Sequence, residues 1–434
     1  MKTIEFERKE QIKDLMRDRQ TETERTEKTV RKIINKVKID GDKALIELTE
    51  KFDKVRLKEI IVSEKEIKDA YKQVSEKELN AIKFAKKNLE KSCKKQLPKE
   101  WTAETRKGVK IGWLIRPIEK VGVYVPGGKY PYPSSVLMNL VPAKTAGCKE
   151  IVLCTPPKRD GKINPYILVA ADLCGVNKIV KAGGAQAIAA MAFGTKKIPK
   201  VNKITGPGNI YVATAKKLVF GAVGIDSIAG PSECCILARK GNPRFIASEI
   251  LAQAEHDELA KTVLVTTNKK LAEKTEKETL KQMQELETKK VIEKSLKENG
   301  AIVLTKTWDQ AVEAVNELAP EHLVIFEENK ETLEKIKCAG SIFIGEYSPV
   351  AAGDYCSGTN HILPTAGTAR FSSGLNVREF LVMPYIQKIS KKGLKNLLKT
   401  IQVFSDIEGL PAHKNSAEIR FKKMRKKIRR EKND

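Results

Sequence analysis

IVLCTPPKRDGKINPYILVAADLCGVNKIVKAGGAQAIAAMAF, residues 151–193, decides the fold class. Ile151 to Cys154 is a short apolar run that reads as a buried strand. Pro165 to Cys174 has helical composition, with proline where a first helical turn tolerates it. Lys178 to Lys181 is a second strand, and Gly184 to Phe193 a second, alanine-rich helix. Strand and helix alternating in this way imply parallel strands joined by crossover helices.

The alternation extends in both directions. Before it, Val121 to Val125 reads as a strand and Pro133 to about Gly147 as a helix. After it come strand Lys200 to Ile204 and helix Asn209 to Phe220. A second run follows: strand Cys235 to Ala238, helix Pro243 to Ala260, strand Thr262 to Thr266 and a long helical stretch Lys269 to Glu298. Strand Ile302 to Leu304, helix Trp308 to Leu318, strand Leu323 to Phe326, helix Lys330 to Lys337 and strand Ser341 to Ile344 complete it. Residues 1–38 form a helical N-terminal arm with a thin apolar stripe. Ser63 to Glu66 and Ser75 to Glu78 match capping boxes that open helices running toward Leu97. Two α/β domains are expected: 121–232, and 39–120 together with 233–375. Residues 376–434 form a helical C-terminal arm with a basic tail.

Composition narrows the function classes. A chain of 434 residues with 41% hydrophobic residues builds more than one core. Its net charge of +26 is partly local, since Arg420 to Lys432 holds nine basic residues and one acid. The rest alternates with acids along helices and reads as solvated faces. Aromatics make up only 6%, and no nucleic-acid module is visible, so nucleic-acid binding is not expected. The eight cysteines form no C-x-x-C pair, which argues against a cysteine-rich zinc site. No signal peptide or membrane span is read, and a cytoplasmic location with reduced thiols is expected.

Candidate chemistry gathers in a few places. Ala339 to Ala369 contains no Lys or Arg, loses apolar periodicity after Gly345, and carries Asp354 and His361 among Gly, Ser, Thr and Asn. A loop of this length and composition is expected to have a task; its first residues, Ser341 to Gly345, read as a buried strand. Gly-rich turns close three strands: Tyr124 to Gly128, Ala182 to Gln186, and Thr205 to Asn209. Glycine there lets a ligand approach the backbone, and free N–H groups at a helix start favour phosphate. Gln253 and His256, three apart on an expected helix, can point two donors at one metal ion or can simply form a solvated face. Glu321 and His322 stand together at a strand entry, as acid–base chemistry requires and as many polar loop ends also do. His413, with Glu408 before it, is the weakest candidate alone.

Taken together, these words resemble the histidinol dehydrogenase family. The resemblance spans nearly the whole chain. It rests on VGVYVPGG, YPSSVLMNLVPAK, GGAQAIAAMAFGT, TGPGNIYVATAKK, IDSIAGPSE, AQAEHD, APEHL, AAGDYCSGTNHILPT, FSSGL and AHKNS, in the family's order. It implies an α/β fold of two incomplete Rossmann-like parallel-sheet units with helical N- and C-terminal arms. It implies oxidation of L-histidinol to L-histidine through the aldehyde, in two hydride transfers to NAD, the last step of histidine biosynthesis. It also implies a cytoplasmic homodimer with one Zn²⁺ per subunit and an active site shared between subunits.

By the same resemblance Gln253, His256, Asp354 and His413 hold the zinc, with His413 supplied by the other subunit. Glu321 and His322 are the catalytic pair. Ser232, His361 and Glu408 join the zinc ligands and His322 around the substrate, and Tyr124, Gln186 and Asn209 contact NAD. Cys234, Cys235 and Cys356 stand where the family does not require cysteine, so a thiohemiacetal route for the aldehyde is a minor alternative. A zinc hydrolase or lyase on the same frame, and a basic nucleic-acid-associated protein, are the rival classes.

Overall fold

The computed structural model describes residues 1–13, 15, 23–127, 130–228 and 230–422. Gly128, Met16 of the N-terminal stripe and nearly all of the expected basic tail lie outside the described residues. The chain divides into two compact units. One is Met1–Leu97 with Pro117–Phe380, and the other is Pro98–Arg116 with the chain from Leu381 onward.

The first unit holds two parallel sheets. In one, Lys120–Tyr124 lies between Glu150–Thr155 and Lys203–Thr205, with Lys178–Lys181 and Gly224–Ile225 at the edges. Numbered along the chain these strands stand in the order 3-2-1-4-5. Val121, Val123 and Ile151 to Cys154 are fully buried, as the apolar runs require of strands covered on both faces. Pro133 and Pro165 open their helices, and Gly147, at φ 92°, ends the first of them in a left-handed turn that glycine adopts without strain.

The second sheet repeats the order. Glu233–Leu237 lies between Lys261–Thr266 and His322–Ile325, flanked by Gly300–Leu304 and Ser341–Ile344. Lys2–Glu5 adds a parallel edge strand against Ala301–Leu304, so the N-terminal arm is not helical throughout as expected. Alternate residues feed opposite cores: Cys234 and Ile236 pack under the helix Pro243–Ala254, while Cys235 and Leu237 pack with Val312 and Val315 of Trp308–Leu318. Ser341–Ile344 is an edge strand rather than a buried one, with Ile342 40% exposed.

Three further expectations are corrected. The capping boxes at Ser63 and Ser75 form as read, but the helices Thr23–Asp40 and Asp42–Asp53 cover the first sheet. Val30, Ile34, Leu45 and Leu48 share a core with Val152, Val180 and Ile188, so residues 39–61 pack on the first sheet, while Asn88 of the helix Glu76–Gln96 donates to the Cys356 carbonyl at 2.9 Å. Amphipathic spacing shows that a helix has a buried face but not what covers it. Residues 101–113 belong with the C-terminal segment: Trp101–Arg106 and Val109–Trp113 pair antiparallel, and Tyr385–Ile389 adds a third strand. The C-terminal arm therefore contains a strand before its helices Lys391–Ile407 and Pro411–Glu418. Finally, the expected helix Lys269 to Glu298 is two, Lys269–Met283 and Lys289–Asn299.

Candidate active site

The sharpest cluster sits at the amino ends of the second sheet. The helix Trp308–Leu318 stops at Ala319, whose φ of 45° turns the chain into Pro320 and then Glu321. Glu321 and His322 are 6% and 4% exposed, and backbone atoms of Glu233 on the neighbouring strand hold both. The Glu233 N–H donates to Glu321 Oε2 at 2.9 Å, and the Glu233 carbonyl accepts from His322 Nδ1 at 3.1 Å. A carbonyl can only accept, so Nδ1 carries the proton and Nε2 of the neutral ring keeps its lone pair. That Nε2 is buried without a hydrogen-bond partner and lies 3.6 Å from Asp354 Oδ1.

Electrostatics follow from this crowding. Burial raises the Glu321 carboxyl well above its ordinary range, although His322 and the Glu233 amide pull the other way. Burial lowers His322, but Glu321, 3.6 Å away, and Asp354 outweigh it and leave the imidazole more basic than usual. Asp354 is opposed by burial, yet His322, His361 and His256 hold it below the usual carboxylate range. Glu249, missed in the sequence, is buried beside Asp354 and His322. Burial raises its carboxyl, which accepts from the Val350 N–H at 2.9 Å and so anchors the short helix carrying Asp354.

Gln253 and His256 reach the same end of the sheet because the helix Pro243–Ala254 runs back from the carboxyl ends. The helix ends at Ala254, so His256 lies in the following turn and not on the expected helical face; it is exposed, and its N–H donates to Gln253 O at 3.3 Å. Gln253 is 1% exposed and its Oε1 has no partner. The buried, unpartnered amide oxygen of Gln253, His256 three residues on, and Asp354, which feels the His256 charge, are donor types a metal ion would satisfy. Among the described residues no three His, Cys, Asp or Glu side chains form a metal group by themselves. Ser232 directly precedes Glu233 and is half-buried; its carbonyl accepts from Lys261 N–H at 2.9 Å.

His361 joins this cluster to the first sheet. Its Nδ1–H donates to the Asp354 carbonyl at 2.9 Å, which leaves Nε2 to accept from Ser135 Oγ at 3.0 Å. Burial lowers its pKa. Asn139, one turn after Ser135, donates to Ser135 O at 2.8 Å and accepts from Thr205 Oγ1 at 2.8 Å. Polar contacts therefore run from the Asp354 loop through the helix Pro133–Ala146 to the turn after Lys203–Thr205.

That turn and its neighbours occupy the carboxyl ends of the first sheet. Tyr124 is buried, its hydroxyl accepts the Gly184 N–H at 3.1 Å, and burial raises its pKa to about 12. Gln186 is buried in the first turn of the helix Gly184–Phe193. Asn209 is exposed and its Oδ1 caps Ile210–Val219, accepting from the N–H groups of Tyr211 and Val212. Asp53, also missed, stands close enough to Tyr124 to act on it. Burial raises its carboxyl from 3.8 to about 6, and its Oδ2 is buried without a hydrogen-bond partner. Glu408 and His413 belong to the other unit. Glu408 ends the helix Lys391–Ile407 and His413 lies on Pro411–Glu418, and both are exposed.

Cys234 and Cys235 are fully buried, and burial raises both thiols, Cys234 well above the usual thiol range. All eight cysteines are free. No helix among the described residues is long and apolar enough to cross a membrane.

Comparison with known proteins identifies the family. Residues 16–421 match the family model described as histidinol dehydrogenase. The histidinol dehydrogenase of Clostridium acetobutylicum is 52% identical over 397 residues, 91% of this chain and 92% of that one. The enzyme of the same name from Methanothermobacter thermautotrophicus is 47% identical, over 97% of this chain and 99% of its own. The crystal structure of histidinol dehydrogenase from Elizabethkingia anophelis superposes with a TM-score of 0.93 at 40% identity, covering 97% and 98% of the two chains. The chain belongs to the histidinol dehydrogenase family of oxidoreductases.

Proposed function

We propose that this chain oxidises L-histidinol to L-histidine through L-histidinaldehyde, reducing two NAD, as the last step of histidine biosynthesis in the cytoplasm. The observation that carries the reading is the His322 Nε2, a buried ring nitrogen with no hydrogen-bond partner 3.6 Å from Asp354 Oδ1, on a strand whose neighbouring helix carries the unpartnered Gln253 oxygen. His322 takes the hydroxyl proton as hydride leaves the carbinol carbon. Glu321 takes a proton from the water that adds to the aldehyde, and His322 serves again in the second oxidation. Glu233 fixes both side chains through its backbone, so neither has to reorganise between steps. His361, Ser232 and Glu408 complete the substrate contacts.

Gln253, His256, Asp354 and His413 of the partner subunit would hold one Zn²⁺ per subunit, which when bound supplies a template and electrostatic clamp for the amino alcohol. Tyr124, Gln186 and Asn209 would face NAD, which accepts the hydride. The homodimer is supported by the second unit, where Phe404, Ile407, Leu410 and Ile419 are exposed apolar residues around His413 in sequence. The test follows NADH absorbance from protein, L-histidinol and NAD, with and without a chelator. Two NADH per histidinol, lost on chelation and restored by Zn²⁺, is the expected result. No NADH from zinc-loaded dimer would return the chain to the hydrolase or lyase class.

A further inference from the structure

We propose that the buried ion pair of Lys216 and Asp226 is a positioning device that sets the two peptide units flanking Gly206, and with them the turn Thr205 to Asn209, for the dinucleotide cofactor. This rests on the reading that NAD binds the carboxyl ends of the first sheet.

Lys216 lies on the helix Ile210–Val219 and is 1% exposed, among the largest fully buried side chains in the molecule. Asp226 directly follows the edge strand Gly224–Ile225 and its side chain is also buried; the two side chains form an ion pair. Both also grip the backbone of Gly206, one on each of the two peptide units that flank its Cα. Lys216 Nζ donates to the Gly206 carbonyl at 3.0 Å, and the Gly206 N–H donates to Asp226 Oδ2 at 2.8 Å. The Asp226 N–H in turn donates to Ile204 O at 3.2 Å, which fixes the carboxylate against the strand that enters the turn.

The location gives the grip its meaning. Gly206 stands at the point where the strand order of the first sheet reverses, between Lys120–Tyr124 and Lys203–Thr205, which is where open parallel sheets bind ligands. Its φ of +119° belongs to glycine, and a Cβ there would fall 1.9 Å from Tyr124 O. Holding the N–H of the peptide before Gly206 and the C=O of the peptide after it fixes both backbone torsions of a residue that, as glycine, would otherwise be the freest in the turn. Thr205, just before it, is held by Asn139, and Asn209, just after, caps its helix. The ion pair supplies the missing middle hold.

Stability alone does not call for charges here, because a well-packed apolar pair of similar volume serves a core as well or better. An apolar pair offers neither a donor nor an acceptor to Gly206. The pair therefore acts through the turn: it preorganises backbone groups that would otherwise be ordered at the cost of cofactor affinity.

The test uses the full-length protein carrying Lys216→Met with Asp226→Asn. This double change leaves no unpaired buried charge and keeps an acceptor for the Gly206 N–H, but removes the donor to its carbonyl. Melting temperature, kcat, both KM values and NADH binding by fluorescence are measured. The expected result is about a tenfold rise in KM for NAD and in the NADH Kd. The KM for histidinol and kcat stay within about twofold, as expected when only uniform cofactor binding is lost. Unchanged cofactor affinity, or a fall in melting temperature with both KM values rising together, would overturn the proposal and mark the pair as purely structural. Should the double variant fail to fold, Lys216→Leu with Asp226→Asn, which likewise leaves no buried charge and no donor to the Gly206 carbonyl, is read in the same way, with a rise of about tenfold expected and no rise overturning the proposal. Tyr124→Phe and Asn209→Ala are run beside it. If these raise the KM for NAD and the pair variants do not, the clamp alone fails; if none does, the cofactor face is misassigned and the proposal falls with it.

Discussion

The two parallel sheets of the first unit share the strand order 3-2-1-4-5 but present their chemistry at opposite ends. In the first sheet the carboxyl-end switch point is lined by glycines and Tyr124, with helix starts beside it. In the second sheet the equivalent crevice, about 460 Å³, is lined with the chain's own paired charges. Arg239 bonds Glu327 at 2.7 Å and stacks over Trp308, while Pro243 and the Asn242 cap take the helix start. The second sheet instead places Glu321 and His322 at its amino ends. On the function proposed above, the same topology serves two purposes, and which end is used depends on what the loops leave unpartnered. Fold order alone does not locate a site.

The comparison can be broken at either end. The largest effect is expected from Glu321→Gln, which should slow the aldehyde step by about a hundred- to ten-thousand-fold. NADH released per histidinol then falls from two toward one while KM for NAD holds; two NADH at the parent rate would remove Glu321 from the chemistry. Gly206→Ala should act on the other sheet. Its Cβ would meet Tyr124 O at 1.9 Å with φ at +119°, so a loss of about 2–3 kcal/mol in denaturant unfolding and weaker NAD binding are expected. Parent-like stability would show that the turn is not held against Tyr124.

Asp53 sharpens the contrast through pH. Its folded pKa of about 6 exceeds the ordinary 3.8, so the native state binds the proton more tightly than the unfolded chain. Its contribution to stability is therefore greatest below about pH 4 and is lost as pH rises through about 6. Asp53→Asn should raise stability at pH 8 by about 1 kcal/mol, after discounting for partial exposure, and change nothing at pH 3.5. A pH-independent difference in urea unfolding would deny the burial argument. The smallest effect is expected at the charge-lined crevice, where Glu327→Gln should leave both KM values within about twofold. A selective rise in KM for NAD there would mean that the second sheet also meets the cofactor.

Much of this was legible beforehand. Apolar runs such as Ile151 to Cys154 announced buried parallel strands, and Ser63 and Ser75 announced helix starts, because these signals are local. The partner of the helices Thr23–Asp40 and Asp42–Asp53 was not legible, since Val30, Ile34, Leu45 and Leu48 show a buried face whichever sheet covers it. Lys2–Glu5 was hidden because a four-residue edge strand carries little pattern. At the site, Glu321, His322, Asp354 and His361 stood out as polar residues in unusual company. Glu233 did not, because it acts through its backbone, and Lys216 and Asp226 did not, because one helix and one edge strand must fold before they meet.

One measurement bears most directly on the division between the two sheets: NAD titration and single-turnover NADH formation with His322→Gln. The NADH Kd should stay within about twofold of the parent while NADH formation from histidinol falls by about a thousandfold. Loss of NAD binding together with turnover, or turnover that survives, would contradict the assignment of acid–base chemistry to the second sheet and cofactor binding to the first.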